Sequence, residues 1–209
     1  MCSSDLFEAD AGTGYRPFCT DCGFLQWGAW GTRLAFGNGT QDNPNATQYV
    51  DNVHLGWWVA GDIASATDLN ELGNQFASAI YSGHAIGNVA NNIDGNGSKT
   101  YVAAGDLSMS WNFNLREGNL TIDKFDRPNF GGNGLAFSGP MSAPGQLSAK
   151  HFQGPLSGQL PGDLSVSGSA AGSFVNDGAK KAAGVIGNWN VGGNAYKAGG
   201  IFAGSGTPN

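Results

Sequence analysis

Cys19 and Cys22 form a Cys-x-x-Cys pair in "CTDC", a spacing that can carry thiol–disulfide exchange, half of a zinc site or a local disulfide. Zinc asks for four ligands, and no second cysteine pair exists, while His54, His84 and His151 are scattered singly. Exchange chemistry of the thioredoxin kind needs a strand feeding a helix N-terminus, and this segment leads into a Gly/Trp stretch instead. Tyr81 and His84 in "YSGHAIG" are residue types that ligate haem iron, and they are the weak candidates for a cofactor pocket. Asp123 and Asp126 invite comparison with the paired carboxylates of glycosidases, which act across a cleft of set width; we read them as a strand acid and a turn acid. The chain has no GxSxG and no GxxxxGK[ST], and "GNGSKT" lacks the strand and helix that a phosphate loop requires. No catalytic residue is assigned, and the expectation is a protein that is not an enzyme, with no metal and no cofactor.

The other chemistry-bearing cluster is aromatic. Trp27, Trp30, Trp57 and Trp58 crowd two short stretches, "GFLQWGAWGTRLAF" and "QYVDNVHLGWWVAG". Such indoles can form a carbohydrate platform on a surface. Large aromatics at strand spacing more often pack a core or plug a barrel end, and packing is the expected role.

The elements that must position these residues are strands. In "TYVAAGDLSMSWNFNL", Tyr101, Ala103, Gly105, Leu107, Met109, Trp111, Phe113 and Leu115 alternate with smaller or polar residues. Period two over that length predicts a long strand with one wet face. "REG" at 116–118 predicts a hairpin turn into "NLTIDKF", a meander step. "LSVSGSAAGSF" and "AGVIGNWNV" repeat the alternation with glycine and alanine at inward positions, as a tightly curled sheet requires. Turn signals such as "NNIDGNGS", "DRPNFGGNG" and "SGPMSAPG" separate the strands. One helical hint occurs, "SATDLNELGNQFAS", expected to be a short turn and a connector at most, with Thr67 or Asp68 as cap and Gly73 as terminator.

Composition narrows the classes further. A chain of 209 residues with 35 glycines is turn-rich, yet 40% hydrophobic and 11% aromatic content is enough for a folded core. A net charge of -6 without any basic run argues against a phosphate-backbone partner, so nucleic acid is not expected. The longest apolar runs, such as "LGWWVA", fall far short of the roughly 20 residues of a spanning helix. The Ser/Asn/Asp face of the long strand also argues against a lipid-facing barrel wall, so no membrane span is expected. The first six residues, "MCSSDL", resemble translated adapter sequence rather than a signal peptide or an element, so residues 1–6 are expected to be non-native, Cys2 included.

"IYSGHAIGNV", "YVAAGDLSMSWNFNLREGNLTIDKFD" and "YKAGGIFAG", with the lead-in "CTDCGFLQWGAWG" and "HLGWWVAG", resemble the C-terminal barrel domain of large Gram-negative surface or secreted proteins that carry a FecR-type domain upstream. That domain is similar to the barrel of transferrin-binding protein B. "SATDLNELGNQFAS" departs from the pattern by its length. The resemblance implies an all-β fold: an antiparallel meander barrel of eight strands, or slightly more, with a Trp-rich N-terminal strand pair. It places a single domain at 7–205, divided into lead-in strands at 15–64 and barrel at 78–205, with a tail at 206–209. In an exported chain, Cys19 and Cys22 become a disulfide candidate. The implied role is a cell-surface or secreted binding module with an unknown protein or surface ligand, part of a larger exported protein. The alternative is a haem-binding or small-ligand barrel.

Overall fold

The computed structural model describes residues 23–36, 49–143 and 150–209. In chain order its elements are β1 (Gln26–Phe36), β2 (Tyr49–Ala60), β3 (Asp62–Ile63), α1 (Ala66–Asn74), β4 (Ser78–Asn91), β5 (Lys99–Asn112), β6 (Glu117–Phe125), α2 (Arg127–Phe130), β7 (Leu135–Ser142), β8 (His151–Leu160), β9 (Leu164–Asp177), β10 (Lys180–Gly192) and β11 (Tyr196–Ser205). Strands β4 to β11 pair antiparallel with their chain neighbours, and β11 pairs back onto β4 from Tyr196↔Asn91 to Ser205↔Ser82. The sheet is therefore a closed eight-stranded up-and-down barrel, and closure leaves no edge along most of its wall.

Among the described residues the edge left at the end of β9 is filled by a short strand, whereas β5 before Asp106 has no strand partner on its β6 side. Strand β8 begins at His151 opposite Ser173, so the last residues of β9 lack a neighbour on that side. The two residues of β3 take the place, Asp62 opposite Asn176 and Ile63 opposite Val175, and the Ala64 N–H donates to the Phe174 carbonyl at 2.9 Å. The last residue, Asn209, exchanges both backbone hydrogen bonds with Ser78 at 3.0 Å, so the tail is tied to the start of β4.

Alternation sets what fills the barrel. Leu107, Met109 and Trp111 of β5 point inward as the period-two pattern predicts, and Phe113 follows them into the core. Leu115 departs from the pattern and is exposed. The strand stops at Asn112, whose side-chain oxygen accepts the Leu115 N–H at 2.8 Å and whose carbonyl accepts the Arg116 N–H at 2.8 Å, and this turn swings Leu115 out. The interior divides into two aromatic groups. Around Phe174 stand Trp111, Phe152 and Phe113, with ring centroids 5.1, 5.2 and 5.3 Å away. Around Trp189 stand Phe125 at 4.9 Å, edge-on, and Phe137 at 5.9 Å, stacked. Offset and edge contacts of this kind add to the burial of large apolar area.

The glycines of the last two strands answer to close approach. A Cβ on Gly187 would stand 2.2 Å from the Ala171 carbonyl oxygen and 2.4 Å from the Phe202 ring; one on Gly200 would stand 2.0 Å from the Ile86 oxygen. At these positions the wall coils too tightly for any side chain.

Helix α1 is a full element at one barrel end. Its cap is Ser65, not Thr67 or Asp68. The Ser65 hydroxyl accepts the Asp68 N–H at 3.0 Å, and the Asp68 carboxylate accepts the Ser65 N–H at 3.1 Å, a reciprocal capping box. The helix runs past Gly73 to Asn74.

Strands β1 and β2 form a separate antiparallel hairpin, bulged between Trp30 and Gly31. It lies against the outside of the barrel. There Ile86, Val175, Ile186, Ile201 and Ala203 form a second apolar cluster beneath Phe24, Leu25, Trp27, Trp57 and Val59.

Candidate functional site

The hairpin register sorts the four tryptophans. Trp27 stands opposite Val59 and Ala29 opposite Trp57, so these residues share one face. That is the face laid on the barrel, where Trp27 and Trp57 join the outer cluster. Gly28 stands opposite Trp58 and Trp30 opposite Gly56, and these make the other face. A Cβ on Gly28 would lie 2.8 Å from the Trp58 indole nitrogen, so the Trp58 ring lies across Gly28 and buries it. Trp30, beside it, is 55% exposed. The result is an aromatic face, with the Trp58 indole lying over Gly28 and the Trp30 indole exposed beside it.

Tyr81 and His84 lie on opposite sides of the wall. Tyr81 is fully buried inside, its hydroxyl donating to the Ala182 carbonyl at 2.9 Å, and burial pushes its pKa well above the ordinary 10.0. His84 faces outward, 3.5 Å from Asp106. Asp106 also meets Lys124 at 3.0 Å and Arg127 at 3.5 Å. Partial burial raises the Asp106 pKa, but the Lys124 hydrogen bond and these neighbouring charges outweigh it and hold the carboxyl below its usual value. His151 is elsewhere, its Nδ1 2.6 Å from the Ser173 hydroxyl. Among the described residues no three metal-ligating side chains converge. Cys19 and Cys22 lie outside the described residues, as does the side chain of His54.

Asp123 and Asp126 are likewise separated. Asp123 is exposed on β6 opposite Asp106. Asp126 sits in the turn before α2, but it is buried. Its Oδ2 accepts the Tyr101 hydroxyl at 2.6 Å and the Tyr196 hydroxyl at 3.2 Å, and its Oδ1 accepts the Asn129 amide at 2.7 Å. Asn91 in turn donates to the Tyr101 oxygen at 3.1 Å. Burial and the Asp126 charge push both phenols well above their ordinary range, so they stay protonated donors. Both carboxylate oxygens thus accept from protein donors, and the cluster ties the turn before α2 to β5 and the start of β11. At the opposite end Asp68 is held below its usual pKa, first by the Ser65 hydroxyl, and Lys181 bridges Asp68 and Glu71.

Among the described residues, two of the grooves on the outer wall are well formed. One of about 660 Å³ is bordered by Ile80, Glu117, Asn119, Pro140 and Pro155. The other, about 830 Å³, crosses β5, β4, β11 and β10 past Asn88, Thr100, Asn190 and Lys197. Sequence reasoning missed both the grooves and the Asp126 knot. The chain matches no family model and no curated protein in the comparisons made.

Proposed function

We propose that this chain is a non-enzymatic binding module of a cell-surface or secreted protein, the barrel part of a larger exported chain. It presents its outer surface to a protein or matrix partner. The observation that carries this reading is the contrast between inside and outside. The interior is taken up by packed rings around Phe174 and Trp189, whereas Trp30 and Trp58 offer aromatic area on the exposed hairpin face. Aromatic side chains at a rim or platform supply large contact area at low entropic cost.

The reading includes no strand crossing lipid. Among the described residues no helix is long and apolar enough to cross a membrane. The outward side of β5, with Asp106, Ser108, Ser110 and Asn112, offers no apolar band. The haem alternative gains nothing from Tyr81, whose hydroxyl is committed to Ala182 inside the wall.

The test is a binding screen of the purified chain against matrix proteins, host proteins and glycans, repeated with Trp30→Ala. A ligand whose capture falls at least tenfold in the variant supports the reading. Capture indifferent to the hairpin face and to the wall grooves, or a Soret shift on adding haem, contradicts it.

A further inference from the structure

We propose that Asn96 is an acceptor site for N-linked oligosaccharide transfer. Asn96-Gly97-Ser98 is an N-x-S acceptor triplet, and Asp94 supplies the acidic residue two positions earlier that the bacterial form of the reaction adds. The same acidic form recurs once, as Glu117-Gly118-Asn119-Leu120-Thr121. The fold separates the two. Asn119 lies in mid-strand on β6, paired with Ser110 on one side and Pro140 on the other, and its neighbour Leu120 is fully buried. An acceptor must leave the wall to enter a transferase, and Asn119 cannot do so without opening the barrel.

Asn96 is free of that constraint. Every residue from Asp94 to Ser98 is exposed. Gly95 and Gly97, at φ 71° and 101°, have open space around them. The turn is held by local bonds: Asp94 Oδ1 accepts the Asn96 N–H at 3.2 Å, Asn92 Oδ1 accepts the Gly97 N–H at 3.0 Å, and Lys99 meets Asp94 at 2.8 Å. Opening these solvent-exposed bonds leaves the barrel ladder untouched. In the transfer step, Asn96 Nδ2 attacks C1 of the first sugar of a lipid-diphosphate-linked oligosaccharide. The C1–O bond to the diphosphate breaks, Nδ2 gives up one proton, and the lipid diphosphate leaves.

The inference shares with the proposed function the premise of export, so its test is made independent of location. The purified, folded full chain, carrying Asn38→Gln and Asn45→Gln to remove the two other triplets, is incubated with a bacterial oligosaccharyltransferase and its lipid-linked donor. The expected result is one glycan, mapped to Asn96 by mass spectrometry and abolished by Asn96→Gln and by Ser98→Ala, with Asn119→Gln unchanged. No transfer to the folded chain, whether or not a peptide spanning 91–100 is modified, overturns the proposal, as does a glycan found on Asn119.

Discussion

The barrel and the hairpin on its flank use aromatic residues in opposite ways. Inside the barrel, Trp111 and Trp189 are almost wholly buried and ringed by other aromatics. On the hairpin, Trp27 and Trp57 bury one side of a two-stranded sheet against five apolar side chains, while Trp30 stands in solvent on the other. An eight-stranded sheet closed on itself is held by its whole core. A lone hairpin is marginal in water and persists here because one face is docked. Stability resides in the barrel wall and its filling, whereas the hairpin is a separately held part that leaves Trp30 exposed on its undocked face.

The largest effect is expected where packing is densest. Trp111→Ala opens a void beside Phe152 and Phe174 and is expected to destabilise the barrel by about 3–5 kcal/mol; a melting point that hardly moved would break the account of the core. High pH probes the same part of the molecule. Tyr81, Tyr101 and Tyr196 all have pKa values raised above 10.0 by burial first. The unfolded chain therefore loses these protons near pH 10 while the folded chain keeps them, so stability is full below that pH and falls steeply above it. Tyr196→Phe removes one of these protons and should flatten the alkaline decline seen in denaturant titrations.

On the hairpin the expected effects are smaller and local. Trp57→Ala loses part of the docking face, worth about 2 kcal/mol of apolar burial. It should expose β1 and β2 to limited proteolysis while the barrel still melts cooperatively. Trp30→Ala touches a side chain mostly in solvent and should shift stability by less than about 0.5 kcal/mol. A large destabilisation from Trp30→Ala would mean that the exposed face is structural and not a contact surface.

Much of the barrel was legible in the sequence because its determinants are local. Period two from Ala103 to Trp111 gives the inward face of β5 directly, and small residues on β9 and β10 announce a curled wall. The outer patch also left a trace. Ala85-Ile86, Val185-Ile186 and Ile201-Phe202 are apolar at consecutive positions, which marks a strand covered on both faces. The capping box was readable too, since Ser65 and Asp68 have its spacing, though Thr67 and Asp68 compete as caps by residue type alone. The candidate site was less legible. Parity puts Trp27 opposite to Trp30 and Trp57 opposite to Trp58, but which face docks depends on the register of β1 against β2 and on residues more than a hundred positions away. The burial of Asp126 depends on Tyr101 and Tyr196, which only barrel closure brings together.

Hydrogen exchange of the full chain, followed by mass spectrometry, tests the division between barrel and hairpin most directly. The account predicts that peptides from β4, β5, β10 and β11 exchange only through global unfolding, while those from β1 and β2 exchange earlier, through a local opening that leaves the barrel protected. Equal protection of hairpin and barrel, lost together in one transition, would contradict it.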